Sequence, residues 1–163
     1  MVFFAAQSHA ADAFSADSPY MLGDWNGQRT ALKEQGYDFS LDYTGELANV
    51  LDSKNTSSHG TEYAGQVSLG AHLDLDKILG WQDTEAQITV TERHGRDLSH
   101  TSDALRGQLS SVQEVWGRGQ TWRLTDFWIK KKFFDQKLDI KVGRFGEGEE
   151  FNSFACDFQN LAL

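Results

Sequence analysis

Five segments of this chain alternate apolar and polar side chains, and the connections between them alternate long and short. The clearest segment runs Tyr37-Asp38-Phe39-Ser40-Leu41-Asp42-Tyr43-Thr44-Gly45-Glu46-Leu47, with every odd position apolar or Gly and every even one polar or charged. Successive side chains of a strand point to opposite faces, so such a segment has one greasy and one wet face. Two architectures meet that description. One is a soluble sheet half-buried on a core; the other is a membrane barrel with lipid outside and a polar lumen inside.

Bulk properties narrow the choice. At 163 residues the chain is long enough for one domain with a sizeable core. Its net charge of -9 repels phosphate backbones, which argues against nucleic acid as a partner. The longest apolar run lies around Val2–Ala6, far short of the roughly 18 residues that a spanning helix requires. Barrels escape that test, since only alternate residues need be apolar. Five Trp, four Tyr and eleven Phe suit strands and interfacial belts, and a single Pro suits long ladders because each Pro removes a donor.

Residues 1–19 read as a signal remnant or a disordered tail: Val2-Phe3-Phe4-Ala5-Ala6 precedes Ser8-His9-Ala10, with small residues placed as at a secretory cleavage site. Gln28 to Gly36 has good helix formers ending at a Gly, the pattern of one short helix. Strands are expected at about 37–50, 62–76, 84–93, 120–133 and 137–145. The fourth alternates poorly: Trp122 and Leu124 share one face, Phe127 and Ile129 the other, as a bulge or a two-sided strand would require. The connections are long at about 52–61, 94–119 and from 146 onward, and short at 77–83 and 134–136. Short turns on one side and long loops on the other are a barrel habit. Tyr37, Trp81, Phe133 and Phe134 fall at short-turn ends, and Tyr63, Trp122 and Phe145 at long-loop ends, as two aromatic girdles would. The competing reading is turn-flanking aromatics in a soluble sheet.

At Gly23-Asp24-Trp25-Asn26-Gly27-Gln28-Arg29-Thr30-Ala31-Leu32 the chain resembles the start of the carbohydrate-selective outer-membrane porins of the OprB type. The likeness continues through Gly36-Tyr37-Asp38-Phe39-Ser40-Leu41 and Tyr43-Thr44-Gly45-Glu46, and recurs at Lys137-Leu138-Asp139-Ile140-Lys141-Val142-Gly143-Arg144 and Phe151-Asn152-Ser153-Phe154-Ala155-Cys156-Asp157-Phe158. The resemblance implies an all-β fold, an antiparallel transmembrane β-barrel of porin type, with a short periplasmic helix near the N-terminus. It implies passive uptake of small neutral sugars across the bacterial outer membrane, with ions passing by the same route. Residues 20–163 are then the N-terminal part of such a barrel, about five of sixteen strands, stopping in an outer loop. Its partners would be sugars, outer-membrane lipid and lipopolysaccharide, and the barrel strands this chain lacks. The family also places a second cysteine just beyond Cys156, which implies a loop disulfide with a partner outside this chain.

Other chemistries compete for the same residues. His72-x-Asp74-x-Asp76 puts an imidazole and two carboxylates on one strand face, a metal-like spacing that reads more simply as polar lining. Glu147, Glu149 and Glu150 could supply the paired acids of a glycosidase, but lie on a Gly-rich stretch that reads as solvated. No nucleophile elbow or dinucleotide-binding pattern accompanies the Ser, His and Gly residues. Catalysis, metal and cofactor are therefore not expected. A sugar channel needs aromatic platforms and fixed groups that hydrogen-bond hydroxyls. The constriction candidates are Arg93, Arg144, Glu147, Glu149, Glu150 and Trp128, with Arg96, Arg118, Arg123, Trp116 and Trp122 in reserve.

The alternative from another class is a secreted or periplasmic β-sheet carbohydrate-binding protein or glycoside hydrolase. Detergent dependence separates the two, since only the porin needs its exterior covered. Five strands alone leave two open edges that hydrocarbon cannot satisfy. The purified 163-residue chain is accordingly expected to give no discrete single-channel currents in planar bilayers, unless it oligomerises into a closed barrel.

Overall fold

The computed structural model describes residues 13–16, 18–51, 60–101, 111–117 and 119–146. In chain order its elements are helix α1 (Gln28–Glu34), strands β1 (Tyr37–Asn49) and β2 (Thr61–Asp74), helix α2 (Leu75–Leu79), strand β3 (Thr84–Gly95), helix α3 (Leu98–Thr101), and strands β4 (Arg123–Phe133) and β5 (Leu138–Arg144). The five strands form one antiparallel sheet in sequence order, each hydrogen-bonded to the next. The residues divide into two compact units, and every strand contributes to both.

The first unit takes the chain up to Phe39, Ala71–Ala86 and Ile129–Lys141, and so contains both short connections. Its Gly-Asp-Trp segment builds α1. Asp24 Oδ1 accepts the backbone N–H of Thr30 at 3.0 Å and its hydroxyl at 2.9 Å, which satisfies a donor that the first helical turn leaves open. The Arg29 guanidinium lies 3.6 Å from the centre of the Tyr20 ring and 3.7 Å from Asp38, and Lys33 reaches Asp38 at 2.8 Å. Gly36 then turns the chain into β1 at φ +99°; a Cβ there would sit 2.8 Å from the Asp74 carbonyl oxygen, so only glycine fits.

The connection after β2 differs from the expectation of a strand running through Asp76. The Asp74 side chain accepts the N–H groups of Asp76 at 3.1 Å and Lys77 at 3.3 Å, starting α2 where the alternation still reads as strand. Gly80 ends that helix at φ +70°. The second short connection turns through Phe134, Asp135 and Gln136, all at positive φ, and closes when the Lys137 N–H donates to the Phe133 carbonyl at 3.1 Å.

The second unit takes Ser40–Gly70, Gln87–Trp128 and the chain from Val142, and contains the strand ends that lead to the long connections. On its apolar face the tyrosine rings lie over cross-strand glycines. A Cβ on Gly45 would meet the Tyr63 hydroxyl at 2.6 Å, and one on Gly65 the Tyr43 hydroxyl at 2.7 Å. The two hydroxyls bond to each other, and Tyr43 also reaches His94 Nε2 at 3.3 Å, whose Nδ1 lies 2.8 Å from Glu92. Amphipathic rings of this kind suit a membrane–water boundary, apolar on one side and wet on the other.

Burial separates the two architectures left open by the alternation. Among the described residues the buried apolar side chains are Val50, Ala64, Leu75, Ala86, Leu98 and Val115, and only Ala64 and Ala86 of these lie in strands. Large ones in the strands are outside: Leu41 is 61% exposed, Leu47 73% and Val142 68%, and Phe39, Tyr43, Leu69, Ile88, Leu138 and Ile140 are exposed with them. That is the face a bilayer would cover. No helix of the described residues is long and apolar enough to cross a membrane. The strands of 13, 14, 12 and 11 residues reach the length of about 9–11 that a tilted crossing needs, while β5, with 7, is shorter than expected. Leu69→Arg, mid-strand on the apolar face, should cost about 2–4 kcal/mol near the bilayer midplane and deplete a barrel completed by further strands from the membrane fraction. Normal membrane recovery of that variant would contradict the lipid-facing assignment.

Candidate functional site

In the second unit, the polar face holds a recess of about 400 Å³. Gln66 and Ser68 of β2 and Thr89, Thr91 and Arg93 of β3 reach it by ordinary alternation. The β4 and β5 contributions need a break in that rule. Leu124 and Phe127 are both exposed, with Thr125 and Asp126 half-buried between them, so the alternation of β4 slips by one residue there. A bulge, one of the two readings of the broken pattern, produces such a slip. The slip turns both Thr125 and Asp126 toward the recess beside Arg123, and the Thr125 hydroxyl donates to the Thr89 carbonyl at 3.1 Å. In β5, Arg144 has the parity of exposed Val142 yet lines the recess. Between them Gly143 adopts φ +138°, and a Cβ there would stand 2.2 Å from the Phe127 carbonyl oxygen. The glycine resets the alternation while letting the two backbones close up.

The recess thus gathers three guanidiniums, one carboxylate, four hydroxyls and an amide. One guanidinium is fixed. Arg93 Nε donates to Gln66 Oε1 at 2.7 Å, and its Nη1 donates to the carbonyls of Glu114 and Trp116, each at 3.3 Å. Those carbonyls belong to the long connection after β3, which also docks elsewhere on the polar face. The Val115 N–H donates to Glu46 Oε2 at 3.2 Å, and Gln113 Nε2 donates to the Glu62 carbonyl at 3.0 Å. Gln113 and Asp97 are each 1% exposed. The Gln113 N–H donates to Asp97 Oδ1 at 3.0 Å and its Oε1 accepts the Leu98 N–H at 2.9 Å. Ser99 and His100 complete the shell of Asp97.

Burial by itself would push the Asp97 carboxyl up. The Gln113 N–H, the Ser99 hydroxyl and His100 outweigh it and hold the carboxyl below its ordinary value. The carboxylate is thereby kept charged where a lone buried acid would take a proton.

In the first unit, the polar face carries a second recess of about 330 Å³, lined by Lys33, Asp38, His72, Lys77, Glu85 and Lys132 among others. Within the lining Lys33 pairs with Asp38 at 2.8 Å and Lys77 with Asp74 at 3.4 Å, and His72 lies 3.4 Å from Glu85. Beyond the lining, Lys130 links Glu85 at 3.6 Å to Asp139 at 3.7 Å. The His72-x-Asp74-x-Asp76 triplet is divided among other tasks, since Asp74 caps α2 and Asp76 lies inside it. Among the described residues no group of three His, Cys, Asp or Glu side chains could hold a metal ion.

Of the residues singled out by sequence, Arg93 and Arg144 meet in the recess together with Arg123. Trp128 is half-buried on β4 and does not line it. Arg96 is exposed, its backbone N–H donating to the Tyr63 carbonyl at 2.8 Å; the Trp116 ring packs 4.5 Å from His100, and Trp122 is exposed. Glu147, Glu149, Glu150, Cys156 and Arg118 lie outside the described residues, as does most of the tail reading of residues 1–19. Asp126, Asp97 and Gln113 were not anticipated. Asp126 follows from the slip that the broken alternation signals, whereas nothing local to Asp97 or Gln113 announces their pairing.

Residues 58–163 match the family described as carbohydrate-selective porin, OprB family. The chain belongs to that family. It is 60% identical over 158 residues to Porin B of Pseudomonas aeruginosa, a match covering 96% of this chain and 35% of that protein. A high-pH structure of Pseudomonas putida OprB superposes with a TM-score of 0.85 at 60% identity, covering 93% of this chain and 36% of the other. A low-pH structure of the same porin gives a TM-score of 0.65 at 54% identity, covering 86% and 43%. The chain spans about a third of the length of the curated relatives it matches. The fold is that of an antiparallel porin β-barrel, of which five strands are described here, and the family is one of outer-membrane proteins.

The Asp97 network gives the porin segment a defined acid response. An unfolded aspartate titrates at about 3.9. With the folded carboxyl held lower, its stabilising effect is complete above that value and is lost as pH falls through the folded one. Protection factors at the Gln113 and Val115 amides should hold steady from neutral pH down to about 4 and drop below it. A decline beginning near pH 6 would assign the response to another group.

Proposed function

We propose that this chain forms part of the wall of an outer-membrane channel for the passive diffusion of small neutral sugars, with residues 20–163 as the N-terminal part of a longer barrel. The observation that carries the reading is the pairing of opposite faces. One face exposes Leu41, Leu47 and Val142, and the other gathers Arg93, Arg123, Arg144 and Asp126 among hydroxyls and an amide. The exposed face is what outer-membrane lipid and lipopolysaccharide would cover, and the remaining strands would close the two edges.

The recess suits a solute that is neutral and rich in hydroxyls. Guanidinium donates and carboxylate accepts, so a sugar can exchange its water hydrogen bonds for bonds of either sense without a large desolvation barrier. Mixed charge also avoids the strong ion selection of a ring of one sign. Conduction requires that each contact be weak enough to release its solute, and the open setting of the recess fits that need better than a closed pocket would. Glu147, Glu149 and Glu150, which come after Arg144, Phe145 and Gly146 in the chain, are proposed as further acceptors of the constriction. Cys156 is read as half of a loop disulfide. The chemistry is passage without bond making, so no catalytic role is assigned to any acid in the chain.

Arg144→Ala in the complete porin tests this reading. Losing one charge-assisted donor should weaken glucose block of the ion current by about tenfold, and losing one positive charge should move the reversal potential toward cation preference. Unchanged block together with an unchanged reversal potential would place the constriction elsewhere.

A further inference from the structure

Arg93 shares its recess with two other guanidiniums, so its placement against their repulsion needs a cause. Part of the cause lies in the connection after β3. Gln66 takes one donor of Arg93, and the carbonyls of Glu114 and Trp116 take another. Carbonyls can serve this way only if their segment is held still. Within that segment, Gln113 is the residue buried on all sides, and it uses the backbone N–H and both ends of its side-chain amide at once: N–H to Asp97, Oε1 from Leu98, Nε2 to Glu62. Leu98 and Val115 are each 2% exposed, and Val115 adds the bond to Glu46. A side chain that must donate at one end and accept at the other can be neither an acid nor an aliphatic. Buried polar groups satisfied in this manner fix one arrangement of the chain among several of similar burial.

We propose that Gln113, with Asp97 as its buried anchor, is a positioning residue for the channel. It holds residues 111–117 on the polar face so that two backbone carbonyls seat Arg93, and thereby sets how much of that arginine's charge the solute meets. The proposal rests on the channel reading and adds to it a residue that need not touch sugar at all. It also makes the connection a fixed support behind the lining.

The test uses the complete porin carrying this sequence, reconstituted in planar bilayers with glucose as the probe. Gln113→Ala should keep the folded, heat-modifiable form on gels. Its glucose dissociation constant should rise about tenfold, and its reversal potential should move toward anion preference as Arg93 loses its carbonyl partners. Adding Arg93→Gln to that variant should remove the anion shift, which a merely structural role for Gln113 would not produce. A folded Gln113→Ala channel with wild-type glucose block and reversal potential overturns the proposal. Should that variant fail to fold, amide exchange on the unaltered porin decides. Protection at Gln113 and Val115 matching that of β3 supports the positioning role, and exchange at the rate of an unstructured segment overturns it. Protected amides in a barrel that passes no sugar would instead overturn the channel reading.

Discussion

A peptide group in hydrocarbon has no water to bond to, so a spanning strand must find every partner on its neighbours. This constraint orders the chain. It explains why β1 to β5 pair strictly in sequence order, each strand meeting the next at the shortest possible connection on one side. Once the backbone is satisfied in this way, the two faces are free to differ completely. The large side chains Leu41, Leu47 and Val142 go outward, and the buried apolar residues described within the strands are Ala64 and Ala86. For a protein in water this would be an inverted distribution, since burying large apolar side chains is the main favourable term of folding. Against lipid the same residues are solvated, and stability rests on the ladder and on cross-strand contacts such as Tyr43 with Tyr63.

Regular alternation also limits what the polar face can do. Side chains on one face of a strand stand about 6.6 Å apart, so an unbroken strand delivers a sparse row of groups. Convergence requires an irregularity. The β4 slip brings Thr125 and Asp126 to the recess as adjacent residues, and the positive φ of Gly143 returns Arg144 to it. Both departures fall where the charged side chains collect. In the first unit, where β1 to β3 keep their alternation, the charges are instead spread into cross-strand pairs such as Glu85 with Lys130. Pairs of that kind neutralise a wall, whereas the recess collects three arginines and one aspartate among hydroxyls and an amide.

How much of this could be read from the chain depends on the range of the interaction. Strand positions were legible because period-two alternation is local, and β1 from Tyr37 and β3 from Thr84 begin where it predicts. The end of β2 was misplaced because Leu75 and Asp76 continue the alternation, while the Asp74 cap that starts α2 acts through its side chain. Arg93 and Arg144 could be singled out as charges at strand ends beside long connections. Their meeting with Arg123 depends on sheet register, which no single segment contains. Asp97 and Gln113 were invisible for a stronger reason. They are polar residues in a polar stretch, and only the folded connection turns them into its most buried pair.

That pair completes a division of labour set by solvent. In the strands, polar side chains face water, and the apolar ones meet lipid. In the connection after β3, which has water around it, the usual rule returns, and Leu98 and Val115 are buried while Asp97 and Gln113 satisfy the backbone beneath them. A loop with its own small core can hold a shape that neither the ladder nor the bilayer imposes. The sheet therefore supplies the wall, and the connection supplies the fixed carbonyls that seat Arg93. The ties described for residues 111–117 run to Glu46, the Glu62 carbonyl, Arg93, Asp97 and Leu98, so the connection can change the recess from the polar side. A barrel family built on one ladder can in this way serve different solutes by rebuilding what lies on the polar side of it.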